Sequence, residues 1–390
     1  MFRLFKKIGK ILFLPWKYKK TIKFLIKNKG IKSALRFLLV KYFVADEGGE
    51  IAILNPIITK FPKIACYPFK LEVEMTTKCN KHCIICEHTY WKEKQRELSF
   101  SQFEHILNQF PKLRWINMTG EGSGFLNKDF LKMIECARAR DISINFVDEF
   151  DFLDATKARR LVELGVNCIW ISMDAATKKT YEKIKVGCDF DRAVRNIKNL
   201  LQIKQELKSP LPILCFRFII TTLNVHEMPM MVELVHSLGD LGEGSRLEFA
   251  GLLKFKEIEQ YYLPEIPEEI LNATQQKADQ LGLSIAFSHS EKIKLPNISQ
   301  CAAWHEPYIM MGGYVLPCCA LLMSNRRDFL RKYSFGNIFE KSFKEIWYSE
   351  RYKKFRQMVP RKTGTVPILC AGCRAWDTSI REKMYGVSED

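Results

Sequence analysis

Short apolar runs alternate with helical patterns between about residues 69 and 252, and this alternation restricts the chain to few folds. Strands connected through helices run parallel, because each helix returns the chain to the end of the sheet that it left. The pattern predicts an α/β protein with helices outside a parallel sheet, either an open sheet or a partial barrel. Six strands are expected, at Phe69–Thr76, Leu113–Thr119, Ile142–Asp148, Cys168–Asp174, Leu214–Thr221 and Arg246–Leu252.

Helical patterns separate these strands. Their apolar residues recur every three or four positions, as on a helix that packs one face against a sheet. The helices are expected at Ser101–Phe110, Lys128–Ala139, Ala155–Leu164, Asp191–Glu206 and Glu227–Leu238. In such folds the chemistry lies at the carboxyl ends of the strands, so residues that directly follow a strand are the first candidates for a site.

Three cysteines follow the first strand. Three residues separate Cys79 from Cys83, and two separate Cys83 from Cys86. Structural zinc takes four protein ligands, for which His82 and His88 are the local candidates. A [4Fe–4S] cluster is favoured instead, because three thiolates bind three irons and leave the fourth iron open for a substrate or cofactor.

The cysteine content supports metal ligation. Thirteen cysteines are an odd number, and several of them are clustered. In a chain without a cleavable signal sequence, such clusters indicate metal binding in a reducing cytoplasm rather than a disulfide framework. The protein is therefore expected to be cytoplasmic.

This cysteine spacing, placed after the first strand of a β/α chain, resembles the radical S-adenosylmethionine (radical SAM) superfamily over roughly residues 69–380. The resemblance implies a partial (β/α)6 barrel, a catalytic [4Fe–4S] cluster on Cys79, Cys83 and Cys86, and S-adenosylmethionine bound at the open iron. In that family, reductive cleavage of S-adenosylmethionine gives a 5′-deoxyadenosyl radical that abstracts hydrogen from an unactivated C–H bond. An electron donor such as ferredoxin or flavodoxin is implied as a partner.

Three other strand ends resemble cofactor-binding motifs of the family. The turn Thr119-Gly-Glu-Gly122 stands where members commonly have Gly-Gly-Glu-Pro, and Ile171-Ser-Met-Asp-Ala175 resembles Ser-x-Asp-Gly. Arg217 on the fifth strand is a candidate for the cofactor carboxylate, with a salt-bridged strand residue as the alternative. The resemblance thus implies cofactor contacts for Gly120, Glu121, Ser172, Asp174 and Arg217.

The third strand end departs from the family pattern. Phe146-Val-Asp-Glu-Phe-Asp-Phe-Leu153 replaces the usual Thr-Asn-Gly. Carboxylates among aromatic residues at this position are candidate acid or base groups, since partial burial tunes their pKa values. We assign this catalytic role to Asp148 and Glu149 and expect Asp154 to cap the next helix. Cys188 is either a hydrogen-atom donor or a small apolar filler.

A second cysteine set lies between residues 295 and 375. Cys301, one of the pair Cys318 and Cys319, Cys370 and Cys373 provide four ligands, enough to close a cluster completely. Zinc competes here, because two cysteines separated by two residues also form a zinc half-site.

The segment that carries this second set resembles a shortened SPASM or twitch-type extension of radical SAM enzymes. With Gly313 as the motif glycine, the resemblance makes Cys318 the ligand and Cys319 its neighbour. Phe335-Gly-Asn-Ile-Phe339 resembles the segment that follows in many members. A full SPASM module has further cysteines, and none follows Cys373, so one auxiliary [4Fe–4S] cluster is expected.

The amino-terminal segment holds most of the net charge of +17. Residues 1–45 contain thirteen cations and no acid. Basic amphipathic helices suit an anionic membrane surface, whereas the alternative is that they cover one end of the following domain. No apolar run reaches the ~20 residues that span a bilayer, and nucleic acid is not expected as a partner. The apolar residues at helical spacing are Phe2, Phe5, Ile8, Leu12 and, beyond Pro15 and Gly30, Ile31, Leu35, Leu38 and Leu39.

Three units follow from these patterns: a basic helical extension at residues 1–60, a radical SAM partial barrel at 61–290 and a SPASM-like domain at 291–390. The basic extension favours a membrane-associated substrate, such as a lipid chain or a polyprenyl-linked molecule, that loses hydrogen from an sp3 carbon. One alternative is a peptide or protein maturase. The other is a non-catalytic iron–sulfur or zinc scaffold that docks at membranes.

Overall fold

The computed structural model describes residues 12–43, 67–253, 255–288, 305–319, 326–359, 364–373 and 379–388. In these ranges the molecule is built on one nine-stranded sheet of order β7-β6-β5-β4-β3-β2-β1-β8-β9. Neighbours from β7 to β8 pair in parallel, and β9 pairs antiparallel with β8. The strands are β1 Lys70–Glu74, β2 Trp115–Thr119, β3 Ser143–Asp148, β4 Cys168–Ser172, β5 Ile213–Ile220, β6 Leu247–Gly251, β7 Ile285–Ser288, β8 Tyr308–Met310 and β9 Tyr314–Leu316; a separate parallel pair joins β10 Val366–Pro367 and β11 Val387–Ser388.

Helices connect the parallel strands and pack against one face of the sheet through a continuous apolar core. The helices are α1 Lys19–Phe43, α2 Phe100–Asn108, α3 Phe130–Ala139, α4 Ala155–Leu164, α5 Lys178–Ile184, α6 Phe190–Glu206, α7 Met228–Ser237, α8 Glu268–Leu281, α9 Arg327–Tyr333, α10 Phe343–Tyr348, α11 Glu350–Met358 and α12 Ser379–Tyr385. All six predicted strands and all five predicted helices are present, with ends displaced by two residues at most. Asp154 caps α4 as expected, since its carboxylate accepts from the Lys157 amide at 2.9 Å.

The sheet is larger than the six predicted strands. One more helix and strand, α8 and β7, extend it beyond β6. At the other edge, the hairpin of β8 and β9 adds to β1, with Val73 opposite Ile309. Short helices and edge strands carry weak periodic signals, which is why α5, β7 and the hairpin were not predicted.

Helix α1 lies across the amino ends of the strands. Tyr18 and Phe37 belong to an apolar cluster that includes Cys168 and Ile213, which begin β4 and β5. The Glu243 carboxylate, in the loop before β6, accepts from the amides of Lys20 and Thr21, both at 2.8 Å. The amino-terminal extension therefore covers one end of the following domain, as one of the two alternatives predicted.

The outer face of α1 remains apolar as well as basic. The helix bends at Gly30 (φ 78°), where the sequence indicated a break. Several side chains on α1 and in the residues just before it are 53–70% exposed: Leu12, Phe13, Trp16, Ile31, Leu35 and Leu39. Phe2, Phe5 and Ile8 lie outside the described residues. Among the helices that the structure describes, none is long and apolar enough to cross a membrane.

Candidate functional site

The cysteine loop, residues 77–96, leaves the sheet at the carboxyl end of β1 and returns beside its own start. Thr77 and Arg96 close it, because the Thr77 amide donates to the Arg96 carbonyl at 2.9 Å. A turn links Cys83 to Cys86, whose amide donates to the Cys83 carbonyl at 3.0 Å. The three cysteines are thus presented at the edge of the sheet where the fold predicts chemistry.

A second segment, residues 184–188, holds the cysteine loop in place. The amides of His82 and Ile84 donate to the carbonyls of Val186 and Ile184, both at 2.9 Å. Lys81 donates to the Gly187 carbonyl at 2.8 Å. These contacts fix the backbone on both sides of Cys83 without using its thiol.

Lys81 also forms a buried ion pair that the sequence analysis did not predict. Its ammonium contacts the Asp151 carboxylate, and Arg192 binds the other oxygen of Asp151 at 2.6 Å. The side chains of Lys81 and Asp151 are 3% and 1% exposed. Asp151, one of the acids that follow β3, therefore anchors the cysteine loop, and the sequence carried no local signal for that partner.

The thiols fit an iron–sulfur cluster. Cys79, Cys83 and Cys86 form no disulfides and are half-buried in one loop. Burial raises the pKa of Cys86 to about 12, and burial followed by the nearby Glu149 raises the pKa of Cys79. Burial thus disfavours unliganded thiolates in this loop, and a cationic cluster compensates that cost by binding them.

In the described ranges, no three His, Cys, Asp or Glu side chains are grouped to share one metal ion. A [4Fe–4S] cube binds each thiolate to a different iron, so its ligands need not converge on one point. One of the two histidines considered for zinc is engaged elsewhere: the His88 ring bonds the Thr77 carbonyl at 2.8 Å and packs on Trp91.

The turn Thr119-Gly-Glu-Gly122 packs directly on the start of the cysteine loop. The amides of Gly122 and Ser123 donate to the carbonyls of Thr76 at 3.2 Å and Lys78 at 3.0 Å. A Cβ on Gly122 would lie 2.8 Å from both the Thr76 oxygen and the Lys78 nitrogen. Glycine is required here because backbone meets backbone.

We expect Gly122→Ala to displace the cysteine loop, because the added methyl overlaps backbone that cannot rotate away. The free energy of unfolding should fall by about 1–3 kcal/mol, and the reconstituted variant should retain less iron at the catalytic cluster. Iron analysis after gel filtration measures this. Ser123→Ala is the matched control, since its hydroxyl has no hydrogen-bond partner among the described residues. Equal iron in both variants would contradict the packing argument.

Glu121 lies in the same turn beside other acids. Burial raises the pKa of its carboxyl to about 8, and Glu87 and Glu74 add to the effect. An ammonium group bound here would stabilise the ionised form of the Glu121 carboxyl. The amino group of S-adenosylmethionine has that charge, so this position fits the cofactor predicted for Gly120 and Glu121.

Ser172 and Asp174 share a buried lysine. Lys185 donates to the Ser172 hydroxyl at 2.8 Å and lies 2.9 Å from one oxygen of Asp174. The other oxygen of Asp174 accepts from the Ile219 amide at 2.8 Å. Asp174 thus ties β4 to β5 and to the end of α5, and its predicted cofactor contact stays a prediction.

Arg217 shares the inner face of the sheet with Trp170. Its guanidinium donates to the Glu248 carboxylate on β6 at 2.9 and 3.2 Å and lies 4.7 Å from the centre of the Trp170 ring. The salt-bridged alternative is therefore present. A cofactor carboxylate would have to share this guanidinium with Glu248, so the predicted role of Arg217 also stays a prediction.

Asp148 and Glu149 lie beside the cysteine loop, as their predicted role requires. Burial, then the charge of Glu149, raises the pKa of Asp148 well above its ordinary range. One Asp148 oxygen accepts from the Phe150 amide at 2.7 Å. The other oxygen, and one oxygen of Glu149, have no hydrogen-bond partner among the described residues. The structure brings together two carboxyls that cannot both ionise cheaply.

Cys188 is buried next to the cluster ligands. A hydrogen bond to the Cys83 thiol, followed by burial, raises the pKa of Cys188. The thiol also belongs to the apolar core of the barrel. Both roles considered for it remain compatible with this position.

The carboxyl end of β1 is clamped to the carboxyl-terminal domain. Glu74 accepts from the two terminal guanidinium nitrogens of Arg327, at 3.1 and 2.5 Å, and from the Met311 amide at 2.7 Å. Both side chains are at most 3% exposed. The sequence did not predict this pair, although an acid at the end of a buried strand is a candidate for a buried ion pair.

The second cysteine set is described in part. Cys318 and Cys319 lie one residue beyond β9, and Cys373 closes a turn in which its amide donates to the Cys370 carbonyl at 3.0 Å. Cys301 lies outside the described residues. The predicted ligand set of Cys301, Cys318, Cys370 and Cys373 therefore stays a prediction.

The motif residues around this set pack on one another. Gly313 (φ 89°) turns the hairpin, and a Cβ there would meet the Asn337 oxygen at 2.5 Å. Asn337 in turn donates to the Gly312 carbonyl at 2.9 Å. The two segments that resembled a SPASM module thus pack against each other, one before Cys318 in the chain and one after it.

Comparisons with known proteins agree with this architecture. The radical SAM superfamily model matches residues 73–235, and the SPASM iron–sulfur cluster-binding domain matches residues 301–374. The tungsten-containing aldehyde ferredoxin oxidoreductase cofactor-modifying protein of Pyrococcus furiosus is 26% identical over 312 residues, which are 73% of this chain and 82% of that protein. The mycofactocin maturase MftC of Mycolicibacterium smegmatis is 21% identical over 330 residues, 82% of this chain and 79% of its own.

A solved structure shows the same fold. The crystal structure of Streptococcus suis SuiB bound to S-adenosylmethionine superposes with a TM-score of 0.59 at 15% sequence identity, covering 91% of this chain and 85% of that chain. The two family matches contain the two cysteine sets in the order that the sequence predicted. The chain therefore belongs to the radical SAM superfamily and is an enzyme that uses a [4Fe–4S] cluster and S-adenosylmethionine, with a carboxyl-terminal SPASM domain for auxiliary iron–sulfur binding.

Proposed function

We propose that this enzyme abstracts a hydrogen atom from an sp3 carbon of a substrate held between the cysteine loop and the carboxyl-terminal domain. When bound, the cluster and S-adenosylmethionine supply the 5′-deoxyadenosyl radical. The observation that supports the proposal is the pair of carboxyls, Asp148 and Glu149, beside Cys79, with two oxygens that have no hydrogen-bond partner among the described residues. These oxygens are available to a substrate.

The carboxyl pair supports an acid or base step on the substrate. Because burial and Glu149 raise the pKa of Asp148, its protonated form is favoured. Glu149 is the more exposed of the two. Glu149 would therefore hold or accept a substrate proton, and Asp148 would limit the charge at the site.

Glu149→Gln tests this role in anaerobically reconstituted, dithionite-reduced enzyme. Wild type is expected to form 5′-deoxyadenosine and, with a substrate-containing cell extract, a product that mass spectrometry detects. The variant should lose the product by about 100-fold or more, the usual contribution of a general acid or base, while it still cleaves S-adenosylmethionine. Asp154→Asn, which alters an exposed helix cap, is the control. Undiminished product from Glu149→Gln would refute the role.

A membrane-associated lipid or polyprenyl-linked substrate remains the substrate predicted from the basic extension. The position of α1 restricts the direction from which such a substrate could reach the site. Because α1 covers the amino ends of the strands, a membrane bound to its outer face would lie opposite the cysteine loop. A lipid-linked substrate would then have to reach the site from the far side of the molecule.

Membrane contact itself is supported by the exposed face of α1 and of residues 12–18 just before it. Aromatic and aliphatic side chains beside lysines suit an anionic lipid surface. We expect wild type to float with phosphatidylglycerol vesicles and the variant Leu12→Glu/Phe13→Glu/Trp16→Glu to float less. These three side chains are 67–70% exposed, so the substitutions spare the buried face that holds the barrel end. Equal flotation of both forms would exclude the contact.

A peptide or protein maturase is the second candidate. It is favoured by the similarity to mycofactocin maturase MftC over 82% of this chain. Separating the extract into peptides and small molecules before the assay distinguishes the two candidates, since only one fraction should yield product. Ferredoxin or flavodoxin is proposed as the electron donor, and replacing dithionite with either protein tests that.

A further inference from the structure

A groove with a volume of about 960 Å³ opens between the returning arm of the cysteine loop and helix α9. The first wall is residues 90–96, and the second includes Met311, Tyr314 and residues 326–331. The groove is therefore formed by both cysteine-bearing parts of the chain. Neither the cluster nor the cofactor contacts described above use it.

The groove carries an excess of positive charge. Six cations line it against two acids, Glu93 and Asp328. Both acids already bind Arg331, and Glu93 also lies 3.4 Å from Arg327. The other four cations have no ion-pair partner among the described residues: Lys92, Lys94, Arg96 and Arg326. Positive charges collected on one concave surface raise the local concentration of anions.

The groove adjoins the cleft of the cysteine loop. A smaller cavity of about 160 Å³ contains Cys79 and shares Trp91 and Glu93 with the groove. The Trp91 ring packs on His88, two residues after Cys86, and Arg327 covers it at 4.7 Å. An anion bound in the groove would thus keep the rest of its molecule next to the catalytic loop.

We propose that this groove binds a phosphate or diphosphate group of the substrate, an inference that rests on the proposed function for its link to the chemistry. Lysine and arginine side chains bind phosphate through charge-assisted hydrogen bonds, and four unpaired cations match the charge of a diphosphate. Tyr314 and Phe329 provide aromatic surface for whatever the phosphate carries. The same group could come from a soluble phosphorylated molecule or from a lipid-linked diphosphate.

The test is calorimetric titration of the anaerobically reconstituted enzyme with inorganic diphosphate at low salt. One site is expected, weakening as salt rises. Lys92→Gln/Lys94→Gln should bind diphosphate at least about 10-fold more weakly, because each charged hydrogen bond is worth roughly a factor of ten. Arg195→Gln/Lys198→Gln is the control, since it removes the same charge from the outer helix α6. No binding by wild type, or equal loss in both variants, would overturn the proposal.

Further titrations identify the source of the phosphate. Tighter binding of farnesyl diphosphate than of inorganic diphosphate would indicate a lipid-linked substrate, and tighter binding of uridine diphosphate a nucleotide-linked one. Tighter binding of an acidic peptide than of any phosphate compound would overturn the proposal. Binding is measured without turnover, so the two proposals can fail separately. Diphosphate binding without 5′-deoxyadenosine formation would contradict the proposed function alone. Formation of 5′-deoxyadenosine without diphosphate binding would contradict the phosphate site alone.

Discussion

Replacing Cys79, Cys83 and Cys86 together with alanine is expected to abolish 5′-deoxyadenosine formation from S-adenosylmethionine. These thiols are the three that the cysteine loop presents at the carboxyl end of β1, and no disulfide competes for them. With one auxiliary cluster, iron should fall from about eight to about four atoms per chain, because a [4Fe–4S] cluster holds four. Iron and sulfide analysis of anaerobically reconstituted protein measures the loss.

Cys136→Ala is the control for this experiment. Cys136 lies on helix α3 and belongs to neither cysteine set, so its loss should change neither iron nor activity. Residual 5′-deoxyadenosine in the triple variant would show that another set of residues holds the catalytic cluster. Complete loss of iron in the triple variant would show that the SPASM domain does not bind its cluster independently.

Arg327→Met is expected to lower the free energy of unfolding by about 3–5 kcal/mol, because it leaves a buried carboxylate without its cation. Glu74 is completely buried and accepts hydrogen bonds from the two terminal nitrogens of Arg327 and from the Met311 amide. The loss of stability should be greatest where β1 contacts the carboxyl-terminal domain. Urea unfolding followed by circular dichroism and tryptophan fluorescence measures the change.

Two further variants show whether the loss of stability comes from the buried charge or only from the loss of a salt bridge. One breaks an exposed ion pair, and the other removes both partners of the buried pair. Arg160 and Glu135 form an ion pair with both side chains more than 40% exposed, so Arg160→Met should cost less than about 1 kcal/mol. Glu74→Leu/Arg327→Met should recover part of the stability, because no buried charge remains. A cost for Arg327→Met as small as that for Arg160→Met would mean that Glu74 reaches another partner or solvent.

The barrel was predictable because its signals are local. Each predicted strand is an apolar run, and each predicted helix shows its period within a few turns, so boundaries agreed within two residues. The strand ends then located Gly120, Ser172 and Asp148 at one edge without further information. The elements that were missed include some with weak local signals, such as the two-turn helix α5 and the four-residue edge strand β7, and also the fourteen-residue helix α8.

The environment of each candidate residue was not predictable. Asp151 and Asp154 lie three residues apart after the same strand. Asp151 binds Lys81 in the interior, whereas Asp154 is an exposed helix cap. Likewise, Asp174 proved to be held by Lys185 and the Ile219 amide. A sequence gives the type of a charged residue, whereas its burial and partner depend on segments distant along the chain.

The sequence by itself determined the superfamily and the order of the radical SAM and SPASM regions, and it predicted the cluster ligands of the catalytic loop, because cysteine spacing and strand periodicity are properties of neighbouring residues. Only the tertiary structure decided that α1 covers the end opposite the site, and that Glu74 meets Arg327 across 253 positions. It also brought residues 90–96 to α9 and so formed the basic groove. These three features depend on charge and packing between segments that are distant along the chain, so no local sequence pattern predicts them.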